Sequence, residues 1–153
     1  MTPFFNWLVS SPWSRALASA EWVFPVVQSF HFFGFALLIG TIAIVDLRLL
    51  NLGMRRQEPA DLATDLNRWT WAGLAVMLTT GFLMFSSSAS AYHYNPAFRF
   101  KMLCLLLALS FHFTLRRRAV RSGVPPVAAK LAGATSLLLW SAVVAGGRML
   151  AFV

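Results

Sequence analysis

From Trp22 to Val45 the chain runs 24 residues without an Asp, Glu, Lys or Arg. Further apolar stretches follow from Trp69 to about Ser88, at Met102–Leu115 and at Leu131–Gly147. A lipid interior cannot satisfy backbone N–H and C=O groups, so such stretches cross it as helices or as a closed barrel. The runs are continuous and lack period-2 alternation, which selects helices. Of the 153 residues 58% are hydrophobic and 12% charged, against roughly 25% charged in a soluble domain. That excludes a cytosolic enzyme, a disordered tail and a disulfide-stapled secreted domain. The reading is all-α: one transmembrane domain, residues 1–153, with spans at about 22–46, 69–88, 99–116 and 128–149. Short connections make successive helices antiparallel neighbours, so the expected fold is an up-down four-helix bundle.

The connections add detail. Ser11-Pro12 reads as an N-cap with Pro at the first helical position, opening a short helix over Pro12–Ala20 that lies in the interface. Pro59 opens a helix that runs on into the second span. Asn95-Pro96 marks a turn. Met1–Leu8 lacks a basic leader region, and no cleavable signal peptide is expected. The single Cys104 reads as a small apolar filler.

The net charge of +8 would suggest nucleic acid in a soluble protein. Here basic residues instead orient the helices, and no nucleic-acid partner is expected. One side carries Arg15, Arg99, Lys101 and Arg148. The other carries Arg48, Arg55, Arg56, Arg68, Arg116, Arg117, Arg118, Arg121 and Lys130. The richer side should be cytoplasmic. Both termini then lie outside a bacterial inner membrane, and Arg116–Arg118 hold the inner boundary against anionic lipid.

Ionisable residues inside spans are costly and point to function. His31 lies ten residues from Glu21, about 15 Å along a helix, and His112 eleven from Lys101, about 16 Å. Two histidines at matched depth on two helices are what bis-imidazole haem ligation in a bundle needs. Gly34 and Ala108, one turn away, would leave room for a porphyrin edge. The competing reading is that each ring hydrogen-bonds a neighbouring helix. Measured from the other side the depths disagree: His112 is about 6 Å from Arg116, His31 about 22 Å from Asp46. Either the first helix projects beyond the membrane or the rings are not level.

The third span has only 14 charge-free residues, about 21 Å against a core of about 30 Å. Lys101 or Arg116 therefore enters the apolar slab, snorkelling or paired. Lys101 could neutralise a haem propionate. Lys101, Arg99 and Arg148 form a positive rim that suits a carboxylate or quinone head group. Asp46 and Arg48, two apart on a helix, do not face each other and each needs a partner elsewhere. His93, between Tyr92 and Tyr94, reads as an exposed loop residue or as a ligand from above the bundle. Soluble-enzyme motifs are absent: no GxGxxG, P-loop or HExxH, and no His/Cys cluster with zinc spacing.

Three passages carry a resemblance: Trp22-Val-Phe-Pro-Val-Val-Gln-Ser-Phe-His31-Phe-Phe-Gly34 with Asp46-Leu-Arg48, Asn95-Pro96-Ala-Phe98-Arg-Phe-Lys101, and Ala145-Gly-Gly-Arg148-Met-Leu-Ala-Phe152. Over nearly its whole length the chain resembles a family of small bacterial inner-membrane proteins of unknown function. More distantly, an early His in the first span and Lys101 eleven residues before His112 look like the HemJ-type protoporphyrinogen oxidase and the copper-resistance D membrane domain. That resemblance implies haem b, with His31 and His112 as axial ligands and Lys101 on the propionate or substrate side.

Three functions follow as expectations. The first is a small b-type cytochrome-like protein with one haem between the first and third helices, exchanging electrons with quinone or a membrane redox partner. The second is a porphyrinogen oxidase of the HemJ kind. The third is a cofactor-free helper whose 14 Phe and 6 Trp meet a partner within the bilayer.

Overall fold

The structure, a computed structural model, describes residues 3–54, 56–121 and 124–150, without the side chains of residues 3–5, 18, 90, 91 and 93. Among these residues every regular element is helical: α1 (Pro3–Ser10), α2 (Pro12–Ser19), α3 (Val23–Leu49), α4 (Pro59–Ser87), α5 (Ala89–Tyr94), α6 (Pro96–Phe111), a π-turn (His112–Arg116), α7 (Arg117–Ala119) and α8 (Pro126–Met149). Four stretches are long and apolar enough to cross a membrane: α3, α4, the run Pro96–Ala119, and α8. This is an all-α membrane bundle, as its apolar runs required.

Proline sets where the helices begin. Pro12, Pro59, Pro96 and Pro126 each open one, because the missing N–H is one that a first turn leaves unbonded anyway. Asn95-Pro96 is therefore a helix start rather than a free turn. Asn95 Oδ1 accepts from the backbone N–H groups of Ala97 at 2.9 Å and Phe98 at 3.4 Å. Ser11 departs from expectation in the other direction. Its hydroxyl donates back to Leu8 C=O at 2.7 Å and does not cap α2. The N-terminal segment also forms two short helices where the pattern suggested one. Leu8, Ser14 and Leu17 are buried, and Ser14 Oγ donates to Ser86 C=O at 2.9 Å, tying α2 to the end of α4. Asn51, at φ 63°, ends α3 in the left-handed region. The Leu52 N–H then reaches Leu47 C=O and the Asn51 N–H reaches Arg48 C=O, which satisfies the last carbonyls. The side chain of His93 lies outside the described residues.

The bundle closes unevenly. Backbones of α3 and α4, α3 and α8, and α6 and α8 lie side by side, whereas α4 and α6 nowhere approach within 8 Å. Glycine explains the tight side. A Cβ on Gly73 would sit 2.7 Å from Leu38 N, and one on Gly34 would sit 2.8 Å from Val76 Cγ1. The space beside Gly34, expected to admit a porphyrin edge, is filled by α4. Ala108 is likewise core, packed with Leu38, Ile42, Cys104 and Trp140. Gly146 lets α8 reach α6, where its Cβ would meet Lys101 Cα at 3.1 Å. Outward faces are mostly apolar, with Phe33 and Leu138 among the most exposed side chains, as a lipid-facing surface requires.

Gly40, on the same helix as Gly34, has nothing within 4 Å of the point where a side-chain methyl would stand. Gly73→Ala should therefore cost about 1–3 kcal/mol through forced separation of two backbones, while Gly40→Ala should be neutral or slightly stabilising. Thermal unfolding of the two variants in detergent would check the contrast.

Candidate functional site

The interior face of α3 near its end presents Thr41, Ile42, Val45, Asp46 and Leu49, all buried. Asp46 is completely inaccessible, and Arg116 of the third span is nearly so. Arg116 Nε donates to Asp46 Oδ1 at 2.6 Å, and Nη2 donates to the Ile42 carbonyl at 3.2 Å. The π-turn explains how Arg116 gets there. A π-turn carries an extra residue, so the chain beyond it is rotated relative to a continuous α-helix. Arg116 turns inward while Arg117 and Arg118 stay exposed. Arg116 is thus not a boundary residue beside them but one half of an internal ion pair. Asp46 finds the distant partner that its spacing from Arg48 demanded, and Arg48 Nε donates instead to Gln57 C=O at 2.6 Å.

The fourth span closes over the pair. A Cβ on Gly133 would meet the Asp46 carbonyl oxygen at 2.9 Å. Ser136 brings a buried hydroxyl toward the same carboxylate without closing a hydrogen bond. Among the described residues three buried side-chain atoms have no partner: Asp46 Oδ2, Ser136 Oγ and His112 Nδ1. All three lie on this half of the bundle. Buried polar atoms are seldom left so, and an unmade hydrogen bond costs about 1–3 kcal/mol.

Beside the pair lies a cavity of about 460 Å³, within the range of small-molecule and cofactor sites. It fills the gap between α4 and the third span. Leu38, Leu74 and Trp140 form its inner wall. Thr41, Asn67 and Thr70 supply polarity, with Thr70 Oγ1 donating to Thr41 Oγ1 at 3.0 Å. His112 and Arg116 line it from the third span, followed by Arg117 and Arg121. His112 makes no hydrogen bond to any described residue through either ring nitrogen.

The pairing of Arg116 with Asp46 and Ile42 also fixes relative depth. One turn before Arg116, His112 lies level with the stretch 38–42, of which Leu38, Thr41 and Ile42 line the same cavity. His31 is then about 10–16 Å farther along α3. The two rings are therefore not level. His31 does not line the cavity. Its Nδ1 is 3.0 Å from Thr80 Oγ1, and its ring fills the space left by Gly81. In this structure His31 and His112 therefore do not share one cavity. His31 bonds the neighbouring helix, the alternative that its place in an apolar span had left open.

Lys101 lies in the half of the bundle that carries the termini, against Gly146 and Gly147 of α8, and has no hydrogen-bond or ion-pair partner among the described residues. It is near enough to His31 to interact electrostatically. Arg99 and Arg148 are exposed at the same end. These three basic residues are separate from the cavity of His112.

A profile for a family of unknown function, DUF6644, matches residues 4–153. The chain belongs to this family. No curated protein and no solved structure matches it. For this DUF6644 protein, function is therefore read from the geometry of the bundle.

Removing one member of a buried ion pair strands the other, at about 3–5 kcal/mol. Arg116→Ala and Asp46→Ala should each lower thermal stability in detergent by that order. The double variant Asp46→Leu/Arg116→Met should recover most of the loss, because it leaves no uncompensated charge. Melting curves of the three proteins would decide it.

Proposed function

We propose that this DUF6644 protein binds one b-type haem in the cavity between α3, α4 and the third span, with His112 as an axial ligand. The observation that carries the reading is His112 itself. It is an imidazole on a mostly apolar cavity wall, unbonded at both nitrogens to any described residue. Among the described residues no group of three His, Cys, Asp or Glu suits a bare metal ion, whereas haem iron takes one or two protein ligands. Leu38, Leu74 and Trp140 offer the apolar surface a macrocycle needs, and Arg117 and Arg121 stand where carboxylates would be neutralised. Arg116, its charge balanced by Asp46, also lines the site. The cofactor supplies one-electron chemistry; the chain supplies ligand, dielectric and charge. In this reading the protein is a small cytochrome-like component of a bacterial inner membrane. Its arginine-rich end is cytoplasmic by the charge rule, and it exchanges electrons with quinone or a membrane redox partner.

The site differs from the symmetric one that the spacing suggested, and the difference is testable. In a reduced-minus-oxidised visible spectrum of purified protein, a b-type band should be present. His112→Ala should abolish it, while His31→Ala should leave it in place. Loss in both variants would restore His31 as second ligand. A colourless protein from haem-replete cells would sink the cytochrome reading and leave the cofactor-free helper. Rescue of cells lacking their own porphyrinogen oxidase would favour the oxidase.

A further inference from the structure

We infer that the cleft between α4 and the third span is a lateral portal, through which the ligand reaches the cavity from the lipid leaflet at the arginine-rich end. For the identity of that ligand the inference rests on the haem reading above.

Three features of the cleft carry it. The first is backbone spacing. Each other pair of adjacent spans lies in close contact, but α4 and the third span do not come within 8 Å. The cavity is lined from both banks of this gap. The second is what crosses it. Midway along, the Trp71 and Phe113 rings meet with centroids 5.3 Å apart. Toward the ends of α4 and α6 that lie near the termini, Phe85 stacks on Phe98 at 5.2 Å. Trp71 and Phe113 both line the cavity, yet they are 52% and 40% exposed. One side of this ring pair faces the cavity and the other faces lipid. Two side chains in contact can part by rotamer change alone, without moving either helix.

The third feature is chemical. Just outside the ring pair, Phe113, Thr114, Arg117, Arg118 and Arg121 surround a second hollow of about 320 Å³. Phe113, Arg117 and Arg121 line both hollows. An amphiphile dissolved in the leaflet, with carboxylates at headgroup level and an apolar body below, matches this surface. Its carboxylates engage the arginines first, and its body then passes between Trp71 and Phe113. Arg117 and Arg121 remain in reach of the carboxylates at both stages.

The test uses full-length protein on a Cys104→Ser background carrying Trp71→Cys and Phe113→Cys, purified from haem-depleted cells. It is reconstituted into phosphatidylcholine/phosphatidylglycerol vesicles whose bilayer contains haemin, with and without prior treatment by a short bis-maleimide. Growth of the b-type band is followed. Cross-linking should slow uptake at least tenfold relative to the same protein left open, and protein loaded before cross-linking should keep its band. Trp71→Ala alone, with the ring pair broken, should take up haemin several-fold faster than wild type. Equal uptake by open and cross-linked protein, or a wild-type rate in Trp71→Ala, overturns the portal while leaving the haem reading intact. Wild-type protein that develops no band under the same conditions overturns the haem reading, and the portal falls with it.

Discussion

A guanidinium and a carboxylate are joined inside the helix bundle, and much else in the fold depends on that contact. Desolvating two charges is costly, and their mutual attraction offsets the cost only when the geometry is good. Arg116 meets Asp46 through one short bond and gives a second donor to the Ile42 carbonyl. For Arg116 to face inward, the third span gives up regular α-helix for a π-turn. For Asp46 to accept it, the third span takes one height relative to the first. His112 is carried to that height as well, one turn from Arg116. The ion pair thus sets where the cavity's imidazole stands.

The pair also spans the diagonal of the bundle, where α3 and α6 have no close backbone approach. Glycines draw α3 against α4 and α6 against α8, and α8 lies on α3 through Gly133. These contacts bind three of the four sides. Across the fourth, between α4 and the third span, the backbones stay apart and side chains meet, aromatic ring pairs among them. A cavity forms there because nothing small enough lets those two backbones meet. Among the described residues this is the one side of the bundle without close backbone contact, and one of the three unpartnered buried polar atoms, His112 Nδ1, belongs to the cavity lining. Ionisable residues inside a membrane bundle are costly and mark functional sites.

Much was legible in the order of residues. Continuous apolar runs too long for anything but spanning helices gave the architecture, since lipid leaves the backbone no other way to satisfy itself. Pro59 announced that the second span begins well before its apolar stretch. The short third run announced that a charged residue would enter the slab, and the two-residue spacing of Asp46 and Arg48 announced that each would bond elsewhere. The need of Arg116 and Asp46 for partners was visible in this way, but their union was not. They are 70 residues apart in the chain, and periodicity carries no information about which helix face meets which. The same limit applied to His31 and His112. Counting residues from charged flanks assumed that each helix enters the membrane at its last charge. Arg116 breaks that assumption by sitting inside.

Sequence alone therefore determined the number of spans, their helical nature and approximate ends, and the concentration of basic residues at one end. Each of these depends on local composition and on the solvent the chain must satisfy. Tertiary structure alone decided that Arg116 pairs with Asp46, that His31 bonds Thr80 while His112 lines a cavity, and that one side of the bundle stays open. Those outcomes depend on the rotation and height of each helix against its neighbours. Such quantities are set by close packing at a few glycines and by one buried charge pair, and they have no signature in the chain read one residue after another.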